Sequence, residues 1–180
     1  MKNIRRIVCM IMILALSTCM VIPAMAETEF VASITYKQSQ LISKAELGGE
    51  DVVNCLVATN IKAAKDKSTD IPQEARDLLI EVYESLEDGS AELPFEAGFV
   101  VREFVDVSFV CEDKDAHAEA LAEEGNTIAV TFEISVAKDA AVAVACYVDG
   151  EWVEVEVVNN GDGSVTATFE DLCPVAIAVK

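Results

Sequence analysis

The most reactive side chains in this sequence belong to one histidine and a set of cysteines. The histidine is His117, and Cys111 lies six positions before it. A cysteine and a neighbouring imidazole are the pair that nucleophilic catalysis by a thiol needs. Here, however, Cys111 falls on the apolar row of a predicted strand, and His117 lies in a polar segment where we expect exposure to solvent. The sequence therefore predicts no catalytic residues and a protein that is not an enzyme.

Four cysteines follow the predicted signal peptide, namely Cys55, Cys111, Cys146 and Cys173. They are widely spaced and contain no Cys-x-x-Cys pair, so the sequence predicts no zinc site and no cofactor. Export would permit disulfides. Because Cys111, Cys146 and Cys173 lie on apolar strand rows, free buried thiols are favoured. If a disulfide forms, we expect the pair Cys146–Cys173.

Tyr147 and Trp152 are the candidate ligand-binding residues. They flank Asp149-Gly150, a dipeptide that favours a two-residue hairpin turn. Such a turn places Tyr147 opposite Trp152, and Cys146 opposite Val153. Because Cys146 belongs to an apolar row, the two aromatic side chains are expected on the outer face. They could stabilise the hairpin by up to ~1 kcal/mol, or bind a sugar ring or a partner's side chain.

Acidic residues are numerous but dispersed. A glycosidase needs two carboxyl groups that converge across a cleft, whereas Glu154 and Glu156 share one face of a predicted strand and are typical of a solvated surface. Residues 159–163, Asn-Asn-Gly-Asp-Gly, have oxygen atoms that could bind calcium. They lack the alternating acidic pattern of an EF-hand, and a hairpin turn already explains them. The sequence predicts no metal ligands.

The first 26 residues predict export. Lys2, Arg5 and Arg6 precede an apolar run, and Ala24-Met25-Ala26 has the small-x-small pattern of a signal-peptide cleavage site. The predicted signal peptide holds three of the 13 basic residues and none of the 32 acidic ones. The chain that remains after cleavage therefore has a net charge of −22. This charge excludes nucleic acid and anionic lipid surfaces as partners. We expect a secreted or envelope-associated protein without a membrane span after cleavage.

Alternating apolar and polar residues predict a sheet with one buried and one wet face. We predict a helix at about 72–87, a strand at Glu29–Tyr36 and a loop at 38–51. Glu103 interrupts the alternation of apolar and polar residues in its strand, which indicates a β-bulge or an early strand edge. The fold class is α+β, with an N-terminal α+β unit at 27–96 and an antiparallel immunoglobulin-like β-sandwich at 97–180. The strands predicted in the second half are Phe99–Cys111, Thr127–Ser135, Ala141–Val148, Glu151–Val157, Ser164–Glu170 and Leu172–Val179.

The closing segment carries three short motifs in order. They are Asp149-Gly150-Glu151-Trp152, Gly161-Asp162-Gly163-Ser164-Val165-Thr166 and Cys173-Pro174-Val175-Ala176. This succession resembles the end of β-sandwich modules in secreted and surface proteins of Gram-positive bacteria, a family of unknown function. The resemblance covers about the last fifty residues well and the first half hardly at all. It implies a fold, and no functional residues carry over from it.

These features predict a secreted, non-enzymatic module of the cell envelope or extracellular space, which acts by binding or by structure. The expected partner is cell-wall glycan or a protein. Two alternatives stay open, a small secreted enzyme or enzyme inhibitor that uses acidic residues, and a calcium-binding extracellular protein. A converging carboxylate pair in a pocket would favour the enzyme.

Overall fold

The computed structural model describes residues 29–30 and 41–180. The predicted signal peptide, Met1–Ala26, and most of the strand predicted at Glu29–Tyr36 lie outside the described residues. Within those two segments, no helix has the length and apolar run that crossing a bilayer requires.

The described segments alternate strands with three α-helices. A single 3₁₀ turn, Val53–Cys55, precedes the fourth strand. The elements in chain order are β1 (Glu29–Phe30), β2 (Ile42–Leu47), β3 (Glu50–Asp51), β4 (Leu56–Asn60), α1 (Ile61–Lys65), α2 (Gln73–Glu87), β5 (Val100–Phe109), α3 (Lys114–Ala122), β6 (Ile128–Glu133), β7 (Val142–Val148), β8 (Glu151–Val155), β9 (Val157–Asn159), β10 (Ser164–Phe169) and β11 (Pro174–Val179).

The strands form two sheets. The six-stranded sheet A has the order β1-β5-β11-β7-β8, with β4 also paired to β5. The five-stranded sheet B has the order β3-β2-β6-β10-β9. The pairings are antiparallel apart from the short parallel contact of β1 with β5. The described chain is therefore a mostly antiparallel, sandwich-like fold with few helices.

One predicted strand divides between the two sheets. The sequence predicts a continuous strand at Glu151–Val157, but the regular structure is interrupted at Glu156. β8 pairs with β7 in sheet A, and β9 pairs with β10 in sheet B. The chain therefore passes from one sheet to the other at this edge of the sandwich.

The main core lies between the two sheets. Phe132 of β6 and Phe169 of β10 point into it from sheet B, with their ring centroids 6.2 Å apart in an edge-to-face arrangement. Thr131, one residue before Phe132, and Thr166, three residues before Phe169, lie on the opposite face and are half-buried. Sheet B therefore confirms the prediction of one apolar and one polar face.

Sheet A differs from that prediction, because its central strands are buried on both faces. Ile177 of β11 faces the main core. Its neighbour Ala176 lies in a second apolar cluster, with Phe104 of β5 and Leu79 of α2. The expectation of a wet outer face is wrong here because α1 and α2 pack against the sheet. The sequence itself indicates this double burial, because residues 174–179 have no polar side chain and are typical of a strand buried on both faces.

Residues before position 97 contribute strands to both sheets. Ala45 of β2 is opposite Val130 of β6, and Ala58 of β4 is opposite Val107 of β5. The structure therefore does not confirm a separate N-terminal α+β unit. The loop predicted at 38–51 is wrong, because this stretch includes the β2–β3 hairpin and its Gly-Gly dipeptide supplies the positive φ angles of the turn.

The helix predicted at about 72–87 and the irregularity predicted at Glu103 are both confirmed. The helix is α2, and Gly89, with a φ of +74°, follows its end. In β5, Glu103 is opposite Ile177 while Val101 is opposite the next residue of β11. Arg102 is therefore an extra residue, which makes a β-bulge.

Leu79 tests the packing of α2 on sheet A. It is fully buried, whereas Leu78 beside it is 37% exposed. We expect Leu79→Ala to lower the free energy of unfolding by about 2–5 kcal/mol, because it removes buried methyl groups and leaves a cavity. Leu78→Ala, which has the same helix propensity change, should cost less than about 1 kcal/mol. Urea denaturation measures both, and equal losses would contradict the packing described for α2.

Candidate functional site

The predicted aromatic pair forms. Tyr147 of β7 is directly opposite Trp152 of β8, and Cys146 is opposite Val153. The Tyr147 and Trp152 rings meet edge to face with centroids 5.5 Å apart. The Asp149-Gly150 turn has positive φ at both residues, as a type I′ hairpin requires.

The pair is not an isolated exposed platform, because it continues into the second apolar cluster. The Trp152 ring lies 5.9 Å from Phe104 of β5, and Phe104 lies 5.6 Å from Tyr83 of α2. Tyr147 and Trp152 are both half-buried. The Trp152 Nε1 atom is buried and has no hydrogen-bond acceptor among the described residues. Hairpin sequence alone could not show that a helix from residues 73–87 would reach this face.

The outer face of sheet B is lined by hydroxyl and amide side chains, and we call Thr131, Asn160, Ser164 and Thr166 the hydroxyl face. The Thr131 and Thr166 Oγ1 atoms are 2.9 Å apart across β6 and β10. Asn160 Nδ2 donates to Ser164 Oγ at 2.9 Å and to Thr166 Oγ1 at 3.0 Å. The carboxylates of Glu133 and Asp162 line the same shallow depression.

The loop at 159–163 uses its side-chain oxygens within the loop. Asn159 Oδ1 accepts from Gly161 N at 3.0 Å. Asp162 Oδ1 accepts from both the backbone nitrogen and the hydroxyl of Ser164, which lowers the pKa of Asp162. Asn159 Nδ2 also donates to three backbone carbonyls of residues 137–140. These bonds fit the hairpin-turn interpretation, because they hold the oxygens that calcium would need.

Cys146 and Cys173 are buried in the main core, as their apolar rows predict. Both are free thiols in the structure. Their side chains are hydrogen-bonded to each other, and this bond together with burial raises the pKa of Cys173. The two residues predicted to pair are thus neighbours, and the disulfide itself stays a prediction.

Cys55, Cys111 and His117 form a cluster that the sequence interpretation did not predict. One ligand atom from each lies within 4.8 Å of those of the other two. Cys55 Sγ is 3.6 Å from His117 Nε2. His117 is half-buried, and its ring lies 5.4 Å from that of Phe109. The expectation of a solvent-exposed histidine is therefore wrong, because α3 carries His117 back against the end of β5.

Backbone contacts hold the three residues of this cluster in place. The Cys55 carbonyl accepts from Val110 N at 2.8 Å, which joins the start of β4 to the end of β5. β5 ends at Phe109, so Cys111 lies in the following turn and not in the apolar row of a strand. The Cys111 carbonyl accepts from Lys114 N at 3.3 Å, which connects this turn to α3.

The cluster does not have the character of a catalytic thiol. A hydrogen bond with Cys111, burial and the nearby negative charge of Asp113 raise the pKa of Cys55 to about 11. A nucleophilic cysteine needs a lowered pKa, so that the thiolate is present at neutral pH. The hydrogen bond, burial and nearby negative charge thus favour the thiol form of Cys55 over the thiolate.

Two carboxyl groups of β5 are buried, but they do not converge. Glu103 is opposite Ile177 on the side of the main core. Asp106 lies three residues further, opposite Thr59, on the side of the helices, and accepts a hydrogen bond from Ser108. Burial raises the pKa of Glu103 to about 7 and that of Asp106 to about 6. Because they lie on opposite faces of sheet A, they are not the carboxylate pair of a glycosidase.

Comparison with known proteins does not add a family. No protein-family model, curated protein or solved structure matches the chain.

The aromatic pair is expected to contribute to stability. Trp152→Ala removes contacts with Phe104 and Tyr147, and we expect the free energy of unfolding to fall by about 2 kcal/mol or more. Val158→Ala, at a side chain that is 54% exposed, is the control and should change stability by less than about 0.5 kcal/mol. Chemical denaturation followed by circular dichroism separates these outcomes. A neutral Trp152→Ala would mean that the indole does not hold the hairpin against the helical layer.

Glu103 is expected to make stability depend on pH. Its pKa in the folded protein, about 7, is above the ordinary value of 4.5, so the folded state binds the proton more tightly. Stability should therefore be highest below about pH 4.5 for this group and fall as the pH rises towards 7 and above. Melting temperatures at pH 5.5 and pH 8 should show this loss, and Glu103→Gln should reduce it. Glu154→Gln removes the same charge at an exposed position and should leave the difference unchanged.

Proposed function

We propose that the chain is an exported, non-enzymatic module of the bacterial cell envelope or its surroundings, with an immunoglobulin-like sandwich, that acts by binding. The observation that carries this proposal is the difference between its two outer faces. The outer face of sheet A is apolar and packs against α1 and α2. The hydroxyl face of sheet B presents ordered polar side chains that are mostly half-buried or exposed.

The hydroxyl face has the chemistry that recognises a polyhydroxylated ligand. A hydroxyl has one donor and two acceptor positions. Thr131 therefore retains capacity after bonding to Thr166, whereas Thr166 also bonds to both amide atoms of Asn160. The bond between the two threonine hydroxyls, together with the bond from Asn160 to Thr166, orients the Thr131 hydroxyl before a ligand binds. The carboxylate of Glu133, which lines the same depression, adds an acceptor for sugar hydroxyls. We therefore assign cell-wall glycan as the ligand class.

The net charge of the protein limits which glycans are expected to bind. The net charge of the predicted mature chain, −22, repels anionic polymers over about one Debye length, which is about 8 Å at physiological ionic strength. Around the hydroxyl face, Lys44 is already paired with Glu46 at 3.1 Å. A neutral glycan segment fits this surface better than a phosphate-bearing polymer.

The alternatives from the sequence have weaker support. An enzyme that uses acidic residues needs carboxyl groups on one side of a cleft, and Glu103 and Asp106 lie on opposite faces of sheet A. A calcium protein needs free oxygen ligands, and those of Asn159 and Asp162 are engaged within their loop. The aromatic pair of Tyr147 and Trp152 stays a second binding surface on the module, with its rings half-buried.

Co-sedimentation with isolated cell walls tests the proposal. We expect the purified protein to pellet with the walls, and Thr131→Val/Thr166→Val to weaken the binding roughly 30-fold. The reason is that the double variant removes the Thr131 hydroxyl that contacts the ligand and the Thr166 hydroxyl that orients it, at about 1 kcal/mol each, while side-chain shape is kept. Tyr147→Ala serves as the variant at the other surface and should still pellet.

Two results would overturn the assignment. If Tyr147→Ala abolishes pelleting and the threonine variant does not, the ligand binds at the aromatic pair. If the native protein stays in the supernatant with and without calcium, cell-wall glycan is not the ligand. Circular dichroism of each variant establishes that the loss is not a loss of folding.

A further inference from the structure

Three side chains distant in sequence bring sulfur and nitrogen atoms together at the end of the sandwich. Cys55 lies just before β4, Cys111 just after β5, and His117 on the first turns of α3. Among the described residues, this is the group of potential metal ligands whose donor atoms all lie within 4.8 Å of one another. All three are half-buried, so the cluster is reachable from solvent.

The distances within the cluster fit a tetrahedral metal site. With sulfur at about 2.3 Å and nitrogen at about 2.0–2.1 Å from zinc, tetrahedral angles place a sulfur and a nitrogen ligand about 3.5 Å apart. The Cys55 Sγ to His117 Nε2 distance is 3.6 Å. The Cys55 and Cys111 sulfur atoms lie within 4.8 Å of each other, so small side-chain movements would bring both to one ion.

The donor set selects the class of metal. Two thiol sulfurs and one imidazole nitrogen suit zinc or copper(I), and they do not suit calcium or magnesium, which prefer oxygen ligands. The Phe109 ring packs beside the imidazole at a 32° interplanar angle and restricts its orientation. The acidic side chain of Asp113 adds negative charge near Cys55, which favours a cation.

We propose that Cys55, Cys111 and His117 form a binding site for one Zn²⁺ ion per chain, with two thiolates, one imidazole nitrogen and a fourth position open to solvent. On binding, each thiol releases its proton to solvent as its sulfur–zinc bond forms. The oxidation state of sulfur and zinc does not change. A bound ion would link the start of β4, the end of β5 and α3. The site shares no residue with the hydroxyl face.

Metal titration of the purified, reduced protein under anaerobic conditions tests this site. We expect one Zn²⁺ per chain by equilibrium dialysis and an increase in melting temperature on loading. Co²⁺ should give the thiolate-to-cobalt charge-transfer absorption that only sulfur ligation produces. Cys55→Ser, Cys111→Ser and His117→Gln should each weaken Zn²⁺ binding about 100-fold or more, beyond the 10–100-fold typical of outer-shell changes.

The other pair of cysteines provides the matched control. Cys173→Ala removes one thiol of a hydrogen-bonded pair that has no histidine beside it, and it should retain the metal and the cobalt spectrum. His117→Gln lies on a partly exposed helix surface and should fold even if a cysteine variant does not. Far-UV circular dichroism checks the fold of all four variants.

Three outcomes would overturn the proposal. The first is less than about one tenth of an equivalent of bound zinc in the reduced, folded protein. The second is binding that persists in His117→Gln and Cys55→Ser, or that is lost equally in Cys173→Ala. The third is a Cys55–Cys111 disulfide, detected by peptide mass spectrometry, that forms in air and that Zn²⁺ in excess does not prevent.

Discussion

The burial of sheet A on both faces is the constraint on which the rest of this structure depends. β5 and β11 form the middle of that sheet, and their side chains enter the main core on one side and the helical layer on the other. Alanine residues on the helix side of β11, such as Ala176, keep that surface low enough for α2 to approach. If α2 did not pack there, Phe104 and the aromatic hairpin would expose a large apolar surface to solvent.

The same double burial explains the unusual acidic groups. A carboxylate in a strand with one wet face would simply be placed on that face, but β5 has no wet face in its middle. Glu103 and Asp106 are therefore 5% and 3% exposed, and the low local dielectric favours their protonated forms. The pKa shift of each has a structural cause, and neither residue needs a catalytic role to account for it.

The burial of sheet A also determines which outer surfaces of the molecule are apolar and which are polar. Once the helices occupy the outside of sheet A, the outside of sheet B is the broad sheet face left with polar residues, and its threonine and asparagine side chains order one another. The cluster of Cys55, Cys111 and His117 lies elsewhere, where the end of β5 meets α3. The glycan surface and the metal site that we propose can therefore coexist, because they depend on different strands and different chemistry.

The sequence by itself determined the local features of the protein. Alternation in β6 and β10, the Asp149-Gly150 turn, the helix at 73–87 and the partnership of Tyr147 with Trp152 follow from interactions between residues that are near in the chain or paired by a tight turn. For the same reason the bulge at Glu103 was visible as a break in a period of two. The resemblance to modules of secreted bacterial proteins, and the export of the chain, are predictions of the sequence that the fold neither requires nor opposes.

Only the tertiary structure decided what distant segments do to one another. It placed β2 and β4 in the two sheets and covered the outside of sheet A with α2. It also divided the strand at Glu156 between sheets, and brought Cys55 to Cys111 and His117 across more than fifty residues of chain. Local propensity contains no information on such contacts, because their free energy comes from burying apolar surface that only the assembled sheets create. A metal-ligand motif with short spacing could have been recognised in the sequence, whereas ligands from three separate elements become a site only when those elements pack.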